Sequence, residues 1–348
     1  MKGKFTSALA ALALAATGVL SAVSVAPVAA APASGLGAPP AVSSLNASNT
    51  KKISTGIHSF KGKPSNKKGA SVETKQERVA GSAALVTVSY HYNTMWDNPP
   101  LDGAGKYPDA SAINMVIPEV NRPYLATGDY HSLGESAVFN PADNGDIAEV
   151  GWTADRGVCS ATTSKKCLFI YHWINGAETC YNGCNFVEYN GAPNVWDIGD
   201  DLTSVFNTNQ PTQFVWSGGN LWIAFANEWL GYFPGSEWGG TWTNGFNRVQ
   251  HFGEIAAGTT KPCTDMGDGD LGTATNTAAA RFGSYNTRYP GGAFTATNAD
   301  STSVTGPSAP YPSGVWQMNW SNGSLQTTRY GGPGYNSAGT AAGTAGAC

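Results

Sequence analysis

From Leu85 to the C-terminus the chain is a succession of short apolar runs rich in Val, Ile, Phe, Tyr, Trp and Thr. Gly, Asn, Asp and Pro cut them apart. Residues 114–117, 168–174, 213–216, 221–226 and 314–320 are such runs, and Ser217-Gly218-Gly219-Asn220 and Ser321-Asn322-Gly323-Ser324 are turn sequences between them. Runs of this length bounded by turn formers read as strands. A helix would need a longer stretch at 3.6-residue period, and only a single turn near residues 278–281 suggests one. The content of 43 Gly, 11 Trp and 14 Tyr with 13% charged residues agrees with an all-β protein rather than a helical enzyme. Many short strands with Gly-rich turns predict an antiparallel β-sandwich of two packed sheets.

The N-terminal portion reads differently. Residues 1–30 have the form of a secretory signal peptide, with Lys2 and Lys4 before an apolar run and small residues at 28–30. Residues 31–82 are poor in aromatics and rich in Ser, Pro, Gly, Asn and Lys, the composition of a disordered basic leader or a pro-segment. The folded body is then expected over residues 83–348. Residues 1–80 hold ten Lys and Arg against two acids, whereas the remainder holds ten against twenty-two. A basic leader is attracted to an acidic body, which suits a pro-segment lying over an acidic cleft. The acidic body argues against a nucleic-acid partner. The expectation is a secreted, extracellular monomer, with no membrane association once the signal is removed.

All six cysteines follow the signal peptide, so disulfides are expected. Fifteen pairings are possible. Spacing favours Cys159 with Cys167 and Cys180 with Cys184, which leaves Cys263 with Cys348. No Gly-x-Ser-x-Gly elbow, His-Glu-x-x-His helix, phosphate loop or dinucleotide fingerprint is found, so neither metal nor cofactor is expected. Asp265-Met266-Gly267-Asp268-Gly269-Asp270 begins like a calcium loop, but the twelfth position is Asn276, and a Gly/Asp turn is the better reading.

Carboxylate chemistry remains. Glu149 sits within Asp146-Ile147-Ala148-Glu149-Val150-Gly151-Trp152, and Glu254 within Arg248-Val249-Gln250-His251-Phe252-Gly253-Glu254-Ile255. A glutamate inside an apolar strand is seldom buried unless it is paired or used. Glu119, Glu135, Glu178 and Glu237 lie beside Gly, Asn, Ser or Pro and read as loop residues. His172 and His251 read as packed histidines.

At these residues the sequence resembles the neprosin family of secreted glutamic peptidases. Glu149-Val150-Gly151-Trp152 is similar to the family's Glu-x-Gly-Trp strand. Leu168-Phe169-Ile170-Tyr171 with Cys180-Tyr181-Asn182 and Cys184, Asn220-Leu221-Trp222 with Leu230-Gly231-Tyr232-Phe233-Pro234, Phe252-Gly253-Glu254-Ile255, and Met266-Gly267-Asp268-Gly269 resemble further family blocks in family order. Phe252 stands where the family has Trp. The resemblance implies that Glu149 and Glu254 are the catalytic pair, on one concave sheet face of a β-sandwich. It also implies an endopeptidase cutting a peptide or protein substrate after proline at acidic pH, made as a zymogen. Two adjacent carboxyls titrate as a unit, one ionised to activate water and one protonated to donate. Nothing in the sequence separates these roles; Glu149 is assigned as base and Glu254 as acid. Strand period places Gln250 on the face of Glu254, and Tyr171 with Trp173 on one face. The resemblance implies an oxyanion donor in Gln250, as a glutamine is in the related eqolisin peptidases, and a surface for a proline ring in the two aromatics. The rivals are a β-sandwich glycoside hydrolase, whose two glutamates stand about 5–9.5 Å apart, and a non-catalytic carbohydrate- or wall-binding module.

Overall fold

The structure, a computed structural model, describes residues 36–119, 125–159, 165–273, 275–276, 278–297, 305–306, 311–321 and 327–343. The expected signal peptide, Cys348 and the turn residues 322–324 lie outside the described residues.

Two antiparallel sheets make up the fold, with strands numbered here in chain order. The smaller contains β2 (Gly69–Arg78), β3 (Leu85–Asp97), β5 (Asp129–Phe139), β6 (Ile147–Asp155), β7 (Cys167–Ile174), β8 (Ala177–Glu178) and β13 (Arg248–Ala257). Its spatial order is β2-β3-β13-β5-β6-β7-β8. The larger contains β1 (Thr50–Ile53), β4 (Ala110–Val116), β9 (Phe186–Tyr189), β10 (Asn209–Ser217), β11 (Asn220–Phe225), β12 (Glu228–Pro234) and β14 (Arg281–Arg288). It is completed by β15 (Thr295–Ala296), β16 (Thr305–Gly306), β17 (Gln317–Ser321) and β18 (Thr327–Gly331). No α-helix occurs among the described residues, and the β-sandwich expectation holds. The helical turn suggested near residue 280 is instead the approach to β14, which begins at Arg281.

Local sequence accounts for the hairpins. Between β10 and β11, Gly218 and Gly219 have φ of 60° and 78°. A two-residue turn of that hand matches the twist of paired strands and favours glycine. Alternation along each strand then sorts side chains by face. On β6, Ala148, Val150 and Trp152 point into the main core, where they join Val138, Leu168 and Ile170 of neighbouring strands and Phe214, Ile223 and Phe233 of the other sheet. Ile147, Glu149, Gly151, Thr153 and Asp155 occupy the opposite face. Yet every residue of β6 is buried. An antiparallel sheet commonly leaves one face to water, so something covers this one.

The cover is the leader, which is not the disordered segment that its composition predicts. Residues 50–53 pair with β9 at one edge of the larger sheet, and residues 69–78 pair with β3 at the edge of the smaller one. Between them, residues 57–66 cross the outer face of the smaller sheet. The ordering comes from borrowed hydrogen bonds: a sheet edge offers unpaired N–H and C=O groups, and a ten-residue ladder along β3 uses them. Phe60 supplies apolar contact, packing against the cluster that contains Tyr171, Trp173 and Tyr181.

The disulfides Cys159–Cys167 and Cys180–Cys184 form as expected. Cys263 is disulfide-bonded as well, and its expected partner Cys348 lies outside the described residues. No described helix is long and apolar enough to cross a membrane.

Candidate active site

Topology brings the two strand glutamates together. β13 inserts between β3 and β5, so Glu254 becomes the neighbour of Leu133 on β5, while Glu149 on β6 faces Ala137 on the same strand. Positions 133, 135 and 137 share a face. Both glutamates therefore lie on the outer face of the smaller sheet, diagonally across β5, and both are fully buried.

A third carboxyl lies between them. Glu135, which its neighbours Gly134 and Ser136 made resemble a loop residue, is in the middle of β5, opposite Phe252 on one side and Gly151 on the other. It is also fully buried. Its side chain lies over Gly151, where an added Cβ would stand 2.3 Å from the Gly134 carbonyl oxygen and 2.7 Å from Glu135 Cβ. The glycine two residues after Glu149 thus makes room for Glu135. We predict that Gly151→Ala lowers stability by about 1–3 kcal/mol, because backbone must move to admit the methyl group. Urea unfolding should show a lower midpoint with an unchanged slope, and an unchanged midpoint would refute this account.

One cation holds the three carboxyls. Lys61 Nζ lies 2.7 Å from Glu135 Oε1, 3.0 Å from Glu254 Oε2 and 3.3 Å from Glu149 Oε2, with its side chain fully buried. The next residue, Gly62, donates its backbone N–H to Glu254 Oε1 at 2.8 Å. A Cβ at Gly62 would fall 2.0 Å from Tyr92 Oη and 2.8 Å from that same carboxylate oxygen, so a side chain here would have to displace one of them. Further along, Ser59 Oγ donates to Asp155 Oδ2 at 2.9 Å, and Gln250 Nε2 donates to the Ser65 carbonyl at 2.6 Å.

Two more groups complete the site. His131 Nε2 is 2.9 Å from Glu254 Oε1, and its Nδ1 is 3.6 Å from Asp155 Oδ2. Trp173 Nε1 donates to Glu149 Oε1 at 2.9 Å. Trp173 is only 1% exposed with the leader in place, and in this arrangement it orients a carboxyl. Tyr171 packs against Trp173 and Tyr181, and its hydroxyl accepts the Thr179 N–H. Beside it opens a cavity of about 620 Å³, lined by Phe60, Arg78, Tyr130, Asp155, Arg156 and Tyr171 among others. His172 and His251 are buried, and burial pushes each down to about 3, so both are neutral packed rings as expected.

The electrostatics separate the carboxyls. Burial opposes ionisation of Glu254, but the Lys61 ammonium, His131 and the Gly62 N–H outweigh it and hold its pKa below the usual carboxylate value. Glu135 goes the other way: burial first, then the charge of Glu149, drive it well upward against the pull of Lys61. Glu149 is raised by burial, which Lys61 only partly offsets. For His131 burial is outweighed by Asp155 and Glu254, so its pKa rises. Glu254 is therefore the ionised member, and the proton resides with Glu149 and Glu135.

The family model described as Neprosin matches residues 129–333, from β5 through β18. No curated protein shows significant sequence similarity. Among solved structures, scytalido-glutamic peptidase bound to a peptide-based transition-state analogue is 7% identical, with 70% of this chain and 99% of that chain covered and a TM-score of 0.32. A Bacteroides ovatus GH16 enzyme is 13% identical, covering 55% and 82% at a TM-score of 0.26, and a Pyrococcus furiosus endo-β-1,3-glucanase is 9% identical, covering 76% and 73% at 0.26. Likenesses this distant decide neither substrate nor site. The family match, by contrast, spans more than half of the 348 residues and contains both strand glutamates: the chain belongs to the Neprosin family.

Proposed function

We propose that the protein is a secreted glutamic endopeptidase, made as a latent precursor and active at acidic pH, that cleaves peptide bonds after proline. The observation that carries this reading is the convergence of Glu149 and Glu254 on one nitrogen atom, at 3.3 and 3.0 Å. A water molecule in that position would contact both carboxyls. Glu254, held ionised, takes a proton from the water as the water attacks the scissile carbonyl. Glu149, holding a proton and aligned by the Trp173 N–H, donates to the developing oxyanion or the leaving nitrogen.

Latency follows from the same contacts. Lys61 fills the position needed by the water, and Gly62 and Ser65 engage Glu254 and Gln250 through main-chain groups. A peptide substrate carries the same main-chain groups, so the leader competes as a substrate-like strap. Protonation of the carboxyls at low pH weakens their hold on the ammonium, and departure of residues 58–60 widens the cavity beside Tyr171. The proline preference rests on the family resemblance, and the pocket that accepts the ring is the cavity next to Tyr171.

The test is to hold the full-length protein at acidic pH and assay it on proline-containing peptides and on xylan or β-glucan. New amino termini following proline are expected, preceded by a lag in which the leader is lost. Reducing sugar released without peptide cleavage would replace this reading with a glycosidase. Carbohydrate binding without any hydrolysis would replace it with a binding module.

A further inference from the structure

Glu135 is a buried titratable group that the two-glutamate reaction does not use. Its position is nonetheless built. The strand beside it has glycine at position 151, where any side chain would collide with Glu135 Cα and Cβ. Its carboxyl and that of Glu149, from adjacent strands, converge on the Lys61 ammonium at 2.7 and 3.3 Å. Each of the two groups also has one fully buried oxygen, Oε2, that accepts no hydrogen bond. That of Glu149 faces the Lys61 ammonium at 3.3 Å and loses it when the leader departs, and that of Glu135 has no cation among the described residues. Two carboxylates cannot accept from each other, and an unsatisfied buried acceptor costs about 1–3 kcal/mol. A single proton between them satisfies an oxygen on each and removes one of two like charges.

We propose that Glu135 is a positioning residue for the hydrolysis: it shares one proton with Glu149 and so keeps that glutamate a hydrogen donor toward the scissile bond. This rests on the peptidase reading given above. The pair then acts as one acid with a single negative charge, facing Glu254, which is kept ionised by His131. When Glu149 gives its proton to the leaving nitrogen, the pair carries two charges. The proton that Glu254 took from water restores the initial state once product leaves. No other reactant is needed.

The titratable groups facing Glu135 are few. Lys61 approaches from the leader, Glu149 from β6 and Glu254 from β13. The phenols of Tyr92, Tyr181 and Tyr330 lie nearby and are raised by burial, so they stay neutral throughout the acidic range. Substituting Glu135 by Gln keeps a donor to Glu149 but removes the second like charge that builds up when the pair gives away its last proton. Glu149 alone then loses its proton more easily than the pair does.

The experiment compares acid-activated full-length protein with its Glu135→Gln variant, using the pH dependence of kcat/KM on a proline-containing peptide. The variant is expected to fold, to cleave, and to lose activity on the alkaline side at a pH lower by roughly one unit or more. A profile with an unmoved alkaline limb overturns the proposal, since a purely structural role lowers activity without shifting that limb. Carboxyl-carbon NMR titration of Glu149 in full-length protein carrying Lys61→Met gives a second readout that needs no catalysis. There, too, Glu135→Gln should lower the midpoint, and an unchanged midpoint overturns the sharing. If the unaltered protein cleaves no peptide, the peptidase reading fails, while the titration still decides whether the two carboxyls hold one proton.

Discussion

Replacing either Glu149 or Glu254 with Gln is expected to lower kcat/KM for peptide cleavage by about 10²–10⁴-fold, the contribution of a positioned acid or base. Glutamine keeps the shape of the side chain. In Glu149→Gln the amide oxygen still accepts the Trp173 N–H, so the fold around it survives while the transferable proton is gone. In Glu254→Gln the group next to His131 can no longer take a proton from water. The losses should not add: a reaction lacking its base gains little from retaining its acid, so the double variant should resemble the poorer single one. Either single variant keeping more than a tenth of the activity would remove that residue from the chemistry. The same assignment fixes the shape of the pH profile. Activity needs Glu254 ionised and Glu149 protonated, so it falls at low pH as Glu254 takes up a proton and at higher pH as Glu149 loses one. With Lys61 in place Glu254 lies below and Glu149 above the ordinary value. Once the leader has gone, His131 at 2.9 Å still favours the ionised form of Glu254, while burial still favours the protonated form of Glu149, and the window lies between them.

What could be read from the sequence follows the range of each interaction. Strand runs and the Gly218-Gly219 turn depend on near neighbours, and they are found where local pattern puts them. Glu149 and Glu254 were visible because a carboxylate in an apolar run is anomalous wherever it occurs. Glu135 was not, because Gly134 and Ser136 suit a loop. Gly134 in fact packs close to Tyr330 and Trp152 (an added Cβ would lie 2.0 Å from Tyr330 Oη), a contact across about 200 residues of chain. His131 and Asp155 are ordinary strand-end residues until β13 is inserted beside β5 and brings up Glu254. The leader misled for a related reason. Composition reports whether a segment can bury its own apolar surface, whereas β1 and β2 gain their order from the edges of sheets already formed. Its charge was informative nonetheless: the excess of lysine predicted attraction to an acidic cleft, and one lysine of the set reaches the carboxyls.

Lys61→Met in the full-length chain should destabilise the fold at neutral pH by about 3–5 kcal/mol, the cost of leaving buried charge without its partner. Methionine keeps most of the stem and removes the ammonium from three carboxyls. The loss should shrink as the pH falls. In the unaltered chain Glu254 has a pKa below its ordinary value of 4.5, so its contribution is present above that pH and is lost as the pH drops through the folded value. Lys61, raised above 10.5 in the fold, contributes fully across the acidic and neutral range. In the variant no ammonium opposes burial, and the carboxyls stay protonated to higher pH. Their protonated forms favour the fold at low pH, and that advantage disappears as the pH rises. The urea midpoints of the two proteins should therefore lie far apart near pH 7 and approach each other toward pH 4. Because the leader also loses its main anchor, the variant should cleave peptide after a shorter lag than the unaltered protein. Parallel midpoints across the pH range, together with an unshortened lag, would show that Lys61 neither neutralises the carboxyl cluster nor holds the leader in place.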